Sequence, residues 1–117
     1  MPAQPPSSLA PPVLLWPNGN AETTYAITID GDMAIPDTWV NGCVFAYLSA
    51  DRTIEMPQPV LGQWLLIQNA TDTLSGWILT IAANALWSGV ARSVAASDYV
   101  KYRAMDKNGT ILWREAP

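Results

Sequence analysis

The strand-turn-strand pattern at the end of the chain constrains the fold most. Val100, Tyr102 and Ala104 alternate with Lys101, Arg103 and Met105, a period of 2 that turns one apolar face inward and one charged face to water. Asp106-Lys107-Asn108-Gly109 supplies the turn, and Thr110-Ile111-Leu112-Trp113-Arg114 reads as the return strand. A three-residue loop with a bulge at Gly109 and a two-residue Asn108-Gly109 turn both satisfy these residues, and both make the strands antiparallel.

The residues upstream repeat the theme of short strands and turn chemistry. Thr23 to Ile29 places Tyr25, Ile27 and Ile29 on one face. An apolar run from Trp39 to Leu48 is broken at Asn41-Gly42, and Asp51-Arg52 turns into Thr53 to Met56. Pro57 and Pro59 exclude a central strand where they stand. Gln63 to Gln68 reads as a strand, Asn69 to Ser75 as a polar turn, and Trp77, Leu79 and Ile81 as the face of another strand. Ala82 to Leu86 suits a single helical turn and Val90 to Val94 a short strand. Seven or eight strands without an amphipathic helix predict an all-β fold, an antiparallel β-sandwich. No internal repeat is visible. The two Asn-x-Thr triplets, at Asn69 and Asn108, read as turns.

The first 17 residues hold six of the ten prolines and no charged side chain. Proline fixes φ and donates no hydrogen bond, so residues 1–21 are expected to form an extended arm and residues 22–117 the sandwich domain. Val13, Leu14, Leu15 and Trp16 are its candidate anchor, either on its own sandwich or in a neighbour's groove.

Composition narrows the function. Half of the residues are hydrophobic and only 14% are charged, an apolar share that in so small a domain points to side chains covered by a partner, and hence to an oligomer. The net charge of −4 is uneven: residues 1–58 hold six acids against the single base Arg52. A nucleic-acid footprint would need clustered Lys and Arg in excess, so no nucleic acid is expected. Lys101, Arg103 and Arg114 on the terminal hairpin remain as candidates to meet an acidic neighbour. The N-terminus has neither a basic segment nor a long apolar run, so no signal peptide and no membrane span are expected.

Chemistry is sparse. The chain has no histidine and one cysteine, Cys43, which removes the common nucleophile-base pairs, zinc sites and any intrachain disulfide. The glycines are isolated, so no phosphate loop is present. Asp30-Gly31-Asp32 with Asp37 is a carboxylate cluster, but Met33-Ala34-Ile35-Pro36 interrupts the ligand spacing of a calcium loop. No catalytic, cofactor or metal residues are expected. Six tryptophans are present, each a candidate for core or interface. Trp64 could stack on a sugar if it faced outward.

From Gly76-Trp77-Ile78-Leu79-Thr80-Ile81 through Asp98-Tyr99-Val100-Lys101-Tyr102-Arg103 to Asp106-Lys107-Asn108-Gly109-Thr110, the chain resembles the second half of small immunoglobulin-like modules of tailed-bacteriophage virions. The resemblance implies a non-enzymatic structural protein made in the host cytoplasm and located in the virion. Its implied role is a capsid decoration or cement subunit, with the major capsid protein as partner. A tail or baseplate subunit is the neighbouring alternative, and a carbohydrate-binding sandwich using exposed Trp is the alternative from another class. The partner-binding candidates are Val13, Leu14, Leu15, Trp16, Lys101, Arg103 and Arg114.

Overall fold

The computed structural model describes residues 13–15 and 21–116. Among them are ten strands: β1 (Val13–Leu15), β2 (Ala21–Ile29), β3 (Met33–Ala34), β4 (Gly42–Leu48), β5 (Arg52–Glu55), β6 (Trp64–Asn69), β7 (Leu79–Ile81), β8 (Arg92–Val94), β9 (Tyr99–Lys107) and β10 (Thr110–Ala116). Single 3-10 turns stand at Asp37–Trp39 and Ala83–Ala85. The fold is all-β, as the sequence predicts. One sheet of six strands runs in the order β1-β2-β4-β6-β9-β10, and one of four strands in the order β3-β5-β7-β8.

The expected antiparallel order fails in the first half of the chain. β2, β4 and β6 are parallel neighbours, as are β3, β5 and β7. The chain crosses from one sheet to the other after each strand, so β2–β3, β4–β5 and β6–β7 are three stacked coils of a short solenoid. The direction then reverses. β8 pairs antiparallel with β7, β9 with β6, and β10 with β9.

A ladder of short polar side chains holds the coils in register. Asp32 Oδ1 accepts from Thr53 N–H at 3.0 Å and Asp37 Oδ1 from Gln58 N–H at 3.3 Å, each 21 residues later in the chain. Asn41 Oδ1 accepts from Trp64 N–H at 3.0 Å, 23 residues later, and Asp51 Oδ1 from Ile78 N–H at 2.9 Å, 27 residues later. Each acceptor sits at a corner and satisfies an amide of the next coil that strand pairing leaves unmatched. Asp32 and Asp37, the acidic residues that stand out in the sequence, thus have structural work.

The core lies between the sheets. Val44, Ala46, Leu65, Ile67, Val100, Tyr102 and Ala104 from the larger sheet meet Ile54, Leu79, Ile81 and Val94 from the smaller. Trp113 is fully buried, and its Nε1–H donates to the Pro57 carbonyl at 2.8 Å, which satisfies the one polar atom of the indole. Tyr25 stacks on Trp39, with ring centroids 4.6 Å apart.

Asn69 closes the third coil. The sequence assigns it to a turn, but it is the last residue of β6 and is 0% exposed. Its Nδ2 donates to the carbonyls of Trp77 and Val94, both at 3.0 Å, and its Oδ1 accepts from Thr71 N–H at 3.2 Å. Thr71 Oγ1 in turn accepts from Leu48 N–H at 3.0 Å. Asn69→Ala would strand two carbonyls and an amide, so it is expected to cost about 3 kcal/mol or more, against about 1 kcal/mol for Thr71→Ala. Urea unfolding of both variants measures the difference. Equal losses would remove Asn69 from its central position.

The terminal turn is settled as well. Lys107 pairs with Thr110, and Asn108 and Gly109 both have positive φ, 52° and 94°. This is the two-residue register, with the left-handed conformations that Asn and Gly adopt most readily. Asp106 Oδ1 accepts from Gly109 N–H at 2.8 Å and braces it.

Candidate interaction surface

The outer face of the six-stranded sheet follows from register. Trp64 on β6 lies beside Arg103 on β9, which lies beside Arg114 on β10, and Leu66, Lys101 and Ala116 form the next row. Gln68 joins Phe45 on β4 to Tyr99 on β9. Near β2 this face is closed, since Thr24 and its register neighbour Cys43 are buried. Toward the hairpin it opens. Tyr99 is 60% exposed and Tyr47 45%, while Trp64, Leu66 and Leu112 are half-buried.

Across β4, β6, β9 and β10 the charge on this face has one sign. Lys101, Arg103, Lys107 and Arg114 occupy outward positions of β9 and β10, and no carboxylate occupies one on β4, β6, β9 or β10. The one ion pair among the described residues, Arg92 with Glu115 at 2.9 Å, lies at the sheet edge. Indole rings support the cations instead. Lys101 Nζ is 5.3 Å from the centroid of Trp64. Trp87 has Lys107 Nζ at 5.2 Å and Arg114 Cζ at 4.9 Å. Such contacts contribute about 0.5–1 kcal/mol at exposed sites and leave the positive charge uncompensated.

Three of the residues singled out in the sequence, Lys101, Arg103 and Arg114, are therefore brought together. The arm residues are not with them. Val13, Leu14 and Leu15 form β1, paired with Thr23, Glu22 and Ala21 of β2 at the opposite edge of the same sheet. Trp16 lies outside the described residues. Sequence reasoning missed Tyr99, Lys107 and Trp87. Tyr99 shares the parity of Lys101 and Arg103 on β9 and was legible from that. Trp87 stands in a loop, where no periodicity marks it.

At the free ends of both sheets, β8 and β10 flank a cleft of about 350 Å³. Arg92 from β8 donates from Nε and Nη2 to the two carboxylate oxygens of Glu115 from β10 across it, at 2.9 and 3.2 Å, and from Nη1 to the Ser93 carbonyl. Trp87 N–H donates to the Trp113 carbonyl at 2.8 Å and covers part of the exposed β10 edge. Tyr102 reaches the cleft from the core side. No family model matches the chain, and no curated protein matches its sequence.

Burial, reinforced by the Glu115 carboxylate and opposed by Arg92, pushes the Tyr102 phenol up to about 12. Its ordinary value in an unfolded chain is about 10. The folded state therefore favours the neutral phenol, and that contribution is complete below pH about 10 and disappears as the pH rises through about 12. Unfolding midpoints measured across this window should fall more steeply for the natural protein than for Tyr102→Phe. Parallel curves would contradict the assignment.

Proposed function

We propose that this protein is a non-enzymatic structural subunit that attaches to another protein through the outer face of its terminal hairpin. The observation supporting this reading is the set Lys101, Arg103 and Arg114, gathered on one face among Trp64, Tyr99 and Leu66 with no carboxylate partner among the described residues. Aromatic rings and arginines at the centre of a partly apolar patch make the most effective protein-binding surfaces. The partner is an acidic protein surface, because uncompensated cations both steer and select it.

The virion setting comes from the resemblance, which spans β7 to β10, the antiparallel part of the chain. In that setting the protein is a decoration or cement subunit on the major capsid protein, with a tail or baseplate subunit as the neighbouring role. The immunoglobulin-like reading applies to this half alone, because the parallel coils of the first half depart from that topology. A sugar-binding role has one feature in its favour, the outward position of Trp64, but Lys101 lies over that ring where a sugar would stack.

The double variant Lys101→Glu, Arg103→Glu should fold normally and lose attachment to the parent particle by about tenfold or more, and attachment of the natural protein should weaken with salt. Co-sedimentation with the particle measures both. Attachment unchanged by the charge reversal, or binding to glycans lost in Trp64→Ala, would overturn the reading. Deleting residues 2–16 asks separately whether the arm takes part.

A further inference from the structure

Two features lie at different places on the molecule, the first apart from the hairpin face and the second meeting it only at Arg114 and its Trp87 ring. The first is Leu74, which is 97% exposed in the corner between β6 and β7. Single apolar residues on a surface are ordinary, but this one stands on a braced turn: Asp72 Oδ1 accepts from Ser75 N–H at 3.0 Å, so the loop holds its leucine outward. The second is the cleft between β8 and β10. Its lining is apolar at Trp87, Val90, Tyr102 and Trp113 and charged at Arg92, Arg114 and Glu115. Val90 is 66% exposed at its mouth.

We infer that the Asp72–Ser75 loop of one copy docks in the β8–β10 cleft of a second copy, with Leu74 as the knob. The cleft, about 350 Å³, is ample for an isobutyl group. Charge complements the fit. Asp72 flanks the knob with one carboxylate oxygen engaged in its own turn. In the cleft lining, Arg92 is engaged with Glu115, whereas Arg114 faces Trp87 and has no carboxylate partner among the described residues. The Asp72 carboxylate of the incoming loop meets that uncompensated guanidinium. Knob and cleft are different surfaces of the same chain, so the contact is head-to-tail: a copy whose cleft is filled still presents its own Leu74, and association continues into a ring or a filament.

Such self-association is separate from attachment to a particle. Because Arg114 also belongs to the hairpin face, the test uses Leu74 and Val90, which do not. Sedimentation velocity of the full chain over a range of concentrations should show self-association that weakens with salt. Leu74→Asp should raise its dissociation constant by about tenfold or more, the scale set by one buried leucine side chain. Val90→Trp, which fills the mouth of the cleft, should do the same. A mixture of the two variants should form a dimer, since one keeps its cleft and the other its knob. Circular dichroism of each variant establishes that it is folded. A natural protein that stays monomeric at every concentration, self-association unaffected by both variants, or two folded variants that fail to pair when mixed would each overturn the inference. Attachment through Lys101 and Arg103 is unaffected by any of these outcomes.

Discussion

The hydrogen bonds of the Asn69 side chain are the constraint on which the two-sheet arrangement depends. A primary amide is the only uncharged side chain with two donors and an acceptor in one plane, and here all three are used: the carbonyl of Trp77 just before β7, that of Val94 at the end of β8, and the amide of Thr71. Its backbone is engaged too, accepting from Ser97 N–H at 2.8 Å and donating to the Asp98 carbonyl at 2.9 Å. One fully buried residue thus ties the end of β6 to the approach to β7, the end of β8 and the approach to β9. In the dry interior, each bond is stronger than in water and each missing one costlier, so the network has one satisfactory arrangement and fixes where the chain reverses direction.

That reversal decides which surfaces the protein presents. Three parallel coils build the first part of the stack, and each new coil is hydrogen-bonded to the last by its strands and by the ladder from Asp32, Asp37, Asn41 and Asp51. A solenoid left open would expose strand edges and core at its end. Here β8, β9 and β10 run back across the end and Trp113 fills it. The hairpin is therefore both the cap of the stack and the largest open stretch of the outer face, because the face is closed near β2, where Thr24 and Cys43 are buried.

How much of this was legible in the sequence follows from what period 2 encodes. Alternation tells which residues share a face, and so the pairings of Lys101 with Arg103, Val100 with Tyr102, and Tyr25 with Ile27 were readable from residue order alone. It says nothing of the direction of the neighbouring strand, which is why a parallel coil looked like an antiparallel meander. A solenoid commonly betrays itself by a repeat. In this chain the bracing acceptors Asp32, Asp37, Asn41 and Asp51 reach amides 21, 21, 23 and 27 residues later, on Thr53, Gln58, Trp64 and Ile78, so neither the interval nor the residue type repeats. Asn69 was hidden for another reason. Asn-Ala-Thr-Asp has the composition of a surface turn, and only long-range partners make its first residue part of the core.

The hairpin face shows how the same physics that stabilises a strand pair can reserve charge for a partner. Arg103 and Arg114 face each other in register, an arrangement that repels when both guanidinium groups stay near the strands. The repulsion is relieved without neutralisation. Arg114 turns away to the Trp87 ring, and Lys101 lies along Trp64. Had Glu115 been placed one residue earlier or later, it would have faced outward among these cations; instead its parity directs it to Arg92 at the edge. A carboxylate on the outer face would have stabilised the isolated subunit by about 0–1 kcal/mol, the usual worth of an exposed ion pair, and would have cancelled the field that selects an acidic surface. Indole rings hold the same cations in place at similar energy while leaving that field intact.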